Sequence, residues 1–556
     1  MTTPLARSGA RILVDQLLAL GADLGFCVPG ESYLPVLDAL YDARDHFRLI
    51  TCRNEGGAAF MAEAAGKLTG RPGLCFVTRG PGACNAAIGV HTAQQDSTPM
   101  LLFIGQVGRA FRGREAFQEV DYRQMYAPLA KWVTELDSAA RIPEILGRAW
   151  HVATSGRPGP VVIALPEDVL AETASVADAV PLALAAPPLA ESELAALCER
   201  LAAAERPMLI VGGSNWSAAG RAALHAFAEG WQLPVAAGFR RQDIFDNRRA
   251  QYAGELGTSV APTLARRVRE ADLLLVLGSR LGEMTTNGYT LVEAPLPRQT
   301  LIHVHPDALE LNRVYRPALA LATHPAQAAV QLAARPAPAA LRWADWTAAA
   351  RAEHEANRQP DPMAGALDLG EVMRVLDAAL PADAIVCNGA GNYTGWPQRF
   401  HCFSHYPSQL APTSGAMGYG VPAAIAAAAV HPTRIAVAFA GDGCFQMNGQ
   451  ELASAVQAGL KPLILVIDNG QYGTIRMHQE RHFPDRRIAT ALCNPDFAAL
   501  ARACGAFGER IECTGAFAPA LERALDCDRA ALLHLIVDPE QISTRQTLTA
   551  LRAATR

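Results

Sequence analysis

Three polar residues in this 556-residue chain stand where apolar runs stop, and their types fit one piece of chemistry. The run Ile435–Ala440 passes into Gly441-Asp442-Gly443, and the next run, Leu463–Asp468, ends at Asn469, 27 positions beyond Asp442. A right-handed β-α-β crossover of that length sets both residues at the carboxyl ends of parallel strands, where open sheets bind ligands. Asp442, Asn469 and the backbone carbonyl of Gln471 are hard oxygen donors. That set suits Mg2+, which usually shares its shell with phosphate and water. Gly441 and Gly443 let the backbone approach a diphosphate closely, and a nearby helix N-terminus favours the anion. A lone Gly-Asp-Gly is explained about as well by a strand-end turn. The helix carrying Gln450-Glu451-Leu452 and the second apolar strand make it a stronger signal. Far upstream, Glu55 heads Glu55-Gly56-Gly57-Ala58-Ala59-Phe60-Met61-Ala62, a place where an acid also simply favours a helix start.

The elements that must position these residues follow from punctuation and period. In the first segment Ala10–Leu20 and Leu34–Ala43 read as helices, and Leu24–Val28, Leu74–Thr78, Met100–Gly105 and Pro160–Leu165 as strands. A second set of strands is Pro207–Val211, Leu233–Ala237, Asp272–Leu277 and Thr300–His305, several stopping at glycine. A third is Ala384–Cys387, Ile435–Ala440, Leu463–Asp468 and Leu532–Val537, with a helix at Gly449–Ala458. Ala171–Glu191, with Pro181, Pro187 and Pro188, and the stretch from Arg335 have linker composition. The expectation is α/β: three doubly wound parallel-sheet domains over residues 1–170, 190–335 and 365–556. Length agrees, since single cores stop growing near about 250–300 residues.

Composition narrows the partners. A net charge of −5 without a basic run argues against nucleic acid. Twelve cysteines with no CxxC pair indicate neither a zinc site nor a disulfide framework, and fit reduced thiols in a cytoplasm. No signal peptide is read at Met1–Arg11, and Val421–Val430 is too short to span a membrane. A cytoplasmic protein is expected.

Beyond these local readings, the chain resembles the thiamine diphosphate enzyme superfamily, whose signature is Gly-Asp-Gly followed about thirty residues later by Asn. Within it the chain looks most like the acetohydroxyacid (acetolactate) synthase catalytic subunit. The resemblance is carried by Phe26-Cys27-Val28-Pro29-Gly30, Arg53–Ala62, Thr78-Arg79-Gly80-Pro81-Gly82-Ala83-Cys84-Asn85 and Ala116-Phe117-Gln118-Glu119-Val120-Asp121. It continues through Ser414–Ala424 and Asn494-Pro495-Asp496-Phe497.

The resemblance implies thiamine diphosphate and Mg2+ as cofactors, with Asp442, Asn469 and Gln471 on the metal. Glu55 is then the relay acid that promotes loss of the thiazolium proton, and Gln118 faces the reacting centre from a neighbouring subunit. Met417 matches an apolar wedge that keeps the cofactor bent, although as a residue it also reads as core packing. Gly391-Asn392-Tyr393 match a diphosphate-gripping loop; a plain polar strand-end loop is the alternative. Gly443 and Cys444 lend backbone amides, with no chemistry assigned to the Cys444 thiol. Pro29, Gly30, Asn85, Gly415, Tyr472, Gly473, Thr474 and Ile475 complete the implied cofactor contacts. A homodimer or homotetramer is implied, its active sites lying across a two-fold interface.

Several positions depart from the synthase pattern. Asn54 and Phe60 flank the acid where polar, histidine-like residues are usual, and Arg79 replaces a small residue. His478 stands where a pocket-lining tryptophan is expected, and reads as either a substrate contact or a solvated histidine. In the middle segment Gly278–Thr286 lacks two aspartates and an arginine, and Ile302–Asp307 lacks an acid for the adenosine ribose. FAD is therefore left open and is not expected. The function implied is decarboxylation of a pyruvate-like 2-oxo acid and transfer of the fragment to a second carbonyl. The alternatives are a 2-oxo acid decarboxylase or 1,2-dione hydrolase, disfavoured because His46 and His91 stand alone, and a silent regulatory paralogue, disfavoured because Glu55, Asp442 and Asn469 are all kept.

Overall fold

Apolar runs bounded by turn-formers become, in the computed structural model, three six-stranded sheets in which every neighbouring pair is parallel. The structure describes residues 5–182, 185–361, 363 and 365–555. The first sheet runs, edge to edge, Arg48–Thr51, Leu24–Cys27, Gly73–Val77, Met100–Gln106, Pro160–Pro166, Trp132–Glu135. The middle sheet runs Tyr252–Glu255, Val235–Ala237, Pro207–Val211, Leu273–Leu277, Thr300–His305, Leu319–Ala322. The third runs Gln409–Leu410, Ile385–Asn388, Ala436–Gly441, Leu463–Asp468, Ala531–Ile536, Phe507–Ile511. Interior strands such as Gly73–Val77 and Leu273–Leu277 are buried throughout, as parallel sheets covered by helices on both faces require.

Each sheet has a switch point next to its first strand, where successive connections leave in opposite directions, and such a place is where open α/β sheets form their binding crevice. In the third sheet it lies between Ile385–Asn388 and Ala436–Gly441, and in the first between Leu24–Cys27 and Gly73–Val77. In the middle sheet it lies between Pro207–Val211 and Leu273–Leu277.

Two corrections to the expected elements have physical causes. The strand expected from Leu233 begins at Val235, after Pro234, which has no N–H to give a ladder. The proline-rich stretch after Ala171 contains Thr173–Ala174, which pairs antiparallel with Arg7–Ser8. Beyond Arg335 the helix Ala344–Asn357 packs against the middle sheet's edge at Tyr252–Glu255.

The first and third sheets share one core. The helix Glu55–Thr69 lies against Gly420–Val430, a helix of glycine, alanine, valine and isoleucine with Pro422 in its first turn, most of it buried. Buried ions pin the same seam. Lys67 pairs with Glu63 (3.2 Å) and Asp96, Glu63 accepts the hydroxyls of Thr98 (2.6 Å) and Tyr419 (2.5 Å), and Asp96 accepts the Thr413 amide (2.6 Å). Buried charges are tolerated when paired and hydrogen-bonded in this way. Among the described residues no helix is long and apolar enough to cross a membrane.

The middle domain holds a titratable group with a readable consequence. Burial pushes the Glu255 carboxyl from its usual 4.5 up to about 7, although Oε1 accepts the Arg240 amide at 3.0 Å. The folded carboxyl keeps its proton to about pH 7, while the unfolded one loses it near 4.5. Its contribution to stability is whole below the lower value and is lost as pH rises through the higher. Glu255→Gln is expected to match wild type in Tm at pH 4.5 and to exceed it by about 2–4 °C at pH 8, read by calorimetry at both pH values. Equal differences at the two pH values would refute it.

Candidate active site

The Gly-Asp-Gly turn closes strand Ala436–Gly441, and Asp442 opens the short helix Asp442–Asn448. Strand Leu463–Asp468 delivers Asn469 beside it, and Ile385–Asn388 delivers the loop Gly391-Asn392-Tyr393 from the other side of the switch point. These loops surround a cavity of about 230 Å³ lined by Gly391, Asn392, Tyr393, Gly415, Met417, Gly441, Asp442, Gly443, Cys444, Asn469, Gln471, Tyr472, Gly473, Thr474 and Ile475, with Ala390 and Ile467. Every residue expected in the third segment to touch cofactor, metal or wedge thus faces one space; His478 does not. It is exposed on the helix Gly473–His482 and stacks on His482, with ring centroids 6.1 Å apart.

Glycine is required at two places in this lining. A Cβ on Gly443 would sit 2.5 Å from the Tyr472 ring, and Gly391 adopts φ +146° beside Tyr393. The loop is tied by mutual bonds: the Asn392 amide donates to Thr474 Oγ1 (3.0 Å), which donates to Asn392 Oδ1 (3.0 Å), while Asn392 Nδ2 donates to the Ile542 carbonyl (2.8 Å). Cys444 is buried, its sulfur accepting from Tyr393 Oη (3.1 Å) and the Gly418 amide (3.1 Å). The thiol therefore joins the Gly391-Asn392-Tyr393 loop to the Met417 loop.

Asp442 itself is buried, and burial pushes its carboxyl up to about 6, with Asp468 nearby adding to the effect. What holds the two acids together is Asn494, a residue given no role by sequence reasoning. Its Nδ2 donates to Asp442 Oδ2 (2.8 Å) and to Asp468 Oδ1 (2.8 Å), and Gln446 Nε2 donates to its carbonyl (2.9 Å). Asp468 Oδ2 in turn meets buried His534 Nε2 at 2.9 Å. Asn494 belongs to Asn494-Pro495-Asp496-Phe497, one of the segments that carry the resemblance. An acid pushed toward neutrality, faced by an amide and lined by glycine, fits a site completed by a cation and a diphosphate.

The first domain presents a second cluster at its own switch point. Glu55 opens the helix Glu55–Thr69, and Asn54 caps that helix by accepting the Gly56 amide at Oδ1 (2.8 Å). Asn85, on the helix Pro81–Asp96, donates to Glu55 Oε2 at 2.9 Å. Gly30 packs so tightly on Thr78 that a Cβ there would lie 2.5 Å from the threonine Cβ, and Pro29 beside it is exposed. Gln118 sits in the left-handed region at φ +63° on a loop laid against Gly80. Arg79, buried, reaches Gln118 Oε1 weakly (3.4 Å) and pairs with Glu31 (3.3 Å) and Glu167. Its charge is thus already shared by two carboxylates. None of Glu55, Asn85 or Gln118 lines the cavity around Asp442.

A third space of about 390 Å³ opens at the middle sheet's switch point, between Gly212-Gly213 and Ser279 and against Asp96 and Ser414. Arg280 there is drawn to Glu310 (3.5 Å), and His303 and His305 are buried at the end of strand Thr300–His305.

This disposition has counterparts. The N-terminal TPP binding domain of thiamine pyrophosphate enzymes matches residues 7–125, the central domain residues 194–332 and the C-terminal TPP binding domain residues 389–535. The chain belongs to the thiamine pyrophosphate enzymes. Among them it is similar to acetolactate synthase large subunits. It is 31% identical to that of isozyme 2 of Escherichia coli, over 96% of each chain. It is 33% identical to that of Parasynechococcus marenigrum, over 91% of this chain and 84% of the other, and 31% identical to that of Lactococcus lactis, over 90% and 87%.

Proposed function

We propose that this chain is an acetolactate synthase-like carboligase that decarboxylates a pyruvate-like 2-oxo acid and joins the two-carbon fragment to a second carbonyl. The observation that carries the reading is the pair of switch-point clusters, Glu55 with Asn85 and the cavity around Asp442, in a chain similar to acetolactate synthase large subunits. Bound thiamine diphosphate supplies an acidic thiazolium carbon and a sink for the electron pair left when CO2 departs. Asp442, Asn469 and the Gln471 carbonyl would hold Mg2+ against the diphosphate, and Met417 would press on the cofactor between its two ends. Glu55 would hold the proton exchanged with the aminopyrimidine, its Oε2 occupied by Asn85 and its Oε1 left for the ring. Gln118, Gly415 and the Cys444 amide would complete the first contacts.

The smallest active unit in this reading is a homodimer, each site taking Glu55 from one chain and Asp442 from the other, with a tetramer built from such dimers. Twelve free cysteines suit a reducing cytoplasm. His303 and His305 stand on the middle-sheet strand where a ribose-binding acid would be sought. Holoenzyme given pyruvate is expected to release CO2 and accumulate acetolactate, followed together by mass spectrometry. CO2 without acetolactate would replace this reading by a simple decarboxylase, and neither product would overturn it.

A further inference from the structure

Two backbone amides lie immediately ahead of Glu55, outside the helix it opens, and each needs a partner. The partner comes from the third domain of the same chain. Glu451, fully buried at the start of the helix Glu451–Gln457, turns its carboxylate onto both: Oε1 accepts Asn54 N (2.8 Å) and Arg53 N (3.0 Å), and Oε2 accepts Arg53 N (3.1 Å) and Ser454 Oγ (2.6 Å). The Arg53 guanidinium completes the clamp on Gln457 Oε1 (2.6 Å). Gly57 makes the approach possible, since a Cβ there would lie 2.7 Å from Glu451 Oε1.

We propose that Glu451 is a positioning residue for the proton relay, fixing the backbone from which Glu55 projects. The inference rests on the assignment of Glu55 as relay acid. Three features favour it over generic packing. The buried carboxylate meets only donors, so its orientation is set. The amides it holds are adjacent to Glu55 in sequence, so a shift at Arg53-Asn54 moves the Glu55 Cα. And the acid sits at the positive end of the helix Glu55–Thr69, which strengthens the hold.

Glu451→Ala frees both amides; Glu451→Gln keeps the shape and one carbonyl acceptor while turning an N–H2 toward the Arg53 amide. In the cofactor-free protein, hydrogen–deuterium exchange is expected to lose protection at residues 53–55 in Glu451→Ala. In the holoenzyme kcat is expected to fall about 10–100-fold, as about 1 Å of misplacement costs, with KM within about threefold. Exchange of the thiazolium carbon proton, followed by NMR after acid quench, is expected to slow by the same factor. Calorimetric affinity for thiamine diphosphate with Mg2+ is expected to hold, because its ligands lie in the other cluster. Glu451→Gln should show the same pattern at smaller size, and it decides the matter if Glu451→Ala fails to fold. A stable variant exchanging the thiazolium proton at the wild-type rate would overturn the proposal. If Glu55→Gln also exchanges at that rate, the relay assignment itself has failed.

Discussion

Glu55→Gln is expected to bind thiamine diphosphate and Mg2+ with wild-type affinity and to turn over about 10²–10⁴-fold more slowly, the range by which a positioned acid or base contributes. The substitution is nearly isosteric. Its carbonyl can still accept from Asn85, and the helix keeps its Asn54 cap. What disappears is a group able to give and take a proton. Because the donors around Asp442 belong to another cluster, affinity and turnover should separate cleanly, calorimetry reading the first and acetolactate formation the second. Activity within about threefold of wild type would remove Glu55 from the relay.

The second large effect comes from mixing two inactive chains. The cavity around Asp442 is lined wholly by third-domain residues, and Glu55 projects from a different sheet. If a site is assembled from two chains, Glu55→Gln and Asp442→Ala each spoil both sites of their own homodimer. A mixed dimer then has one site carrying both lesions and one carrying neither. Dissociating and reassociating an equal mixture should restore about a quarter of wild-type activity, since half the dimers are mixed and half their sites are sound. Subunit exchange can be followed independently by mass spectrometry of a tagged chain. Complete exchange without recovered activity would mean that both halves of a site come from one chain.

How far the sequence could be read follows from what each strand touches. Every strand expected from an apolar run lies in the interior of its sheet. Within the three six-stranded sheets the strands that were not expected, Arg48–Thr51, Trp132–Glu135, Tyr252–Glu255, Leu319–Ala322, Gln409–Leu410 and Phe507–Ile511, are the six edges. An edge strand is covered by fewer neighbours, so Trp132–Glu135 is half-buried along its length and Phe507–Ile511 carries Glu509 and Arg510. Tyr252–Glu255 is buried but short, with Gly254 and Glu255 obscuring its pattern. The Asp442 cavity was legible because backbone approach and metal ligation restrict residue type. Asn494 and Glu451 were not, because they act through other residues over long sequence distances. His478, which the sequence left open between a substrate contact and a solvated histidine, is exposed on its helix and outside the Asp442 cavity.

The packing of the helix Gly420–Val430 against Glu55–Thr69 restricts where this protein can change. Alanines fill that contact, and across the neighbouring contact a Cβ on Gly89 would collide with Ala59. Adding a few carbons to so dense an interior costs about 1–3 kcal/mol, and here the resulting shift would fall on the backbone that carries Glu55. Variation should therefore be scarce along the seam and freer at positions such as His478 and Phe117, which are exposed in the single chain. Exposed positions of that kind can change without moving the backbone on which Glu55 stands.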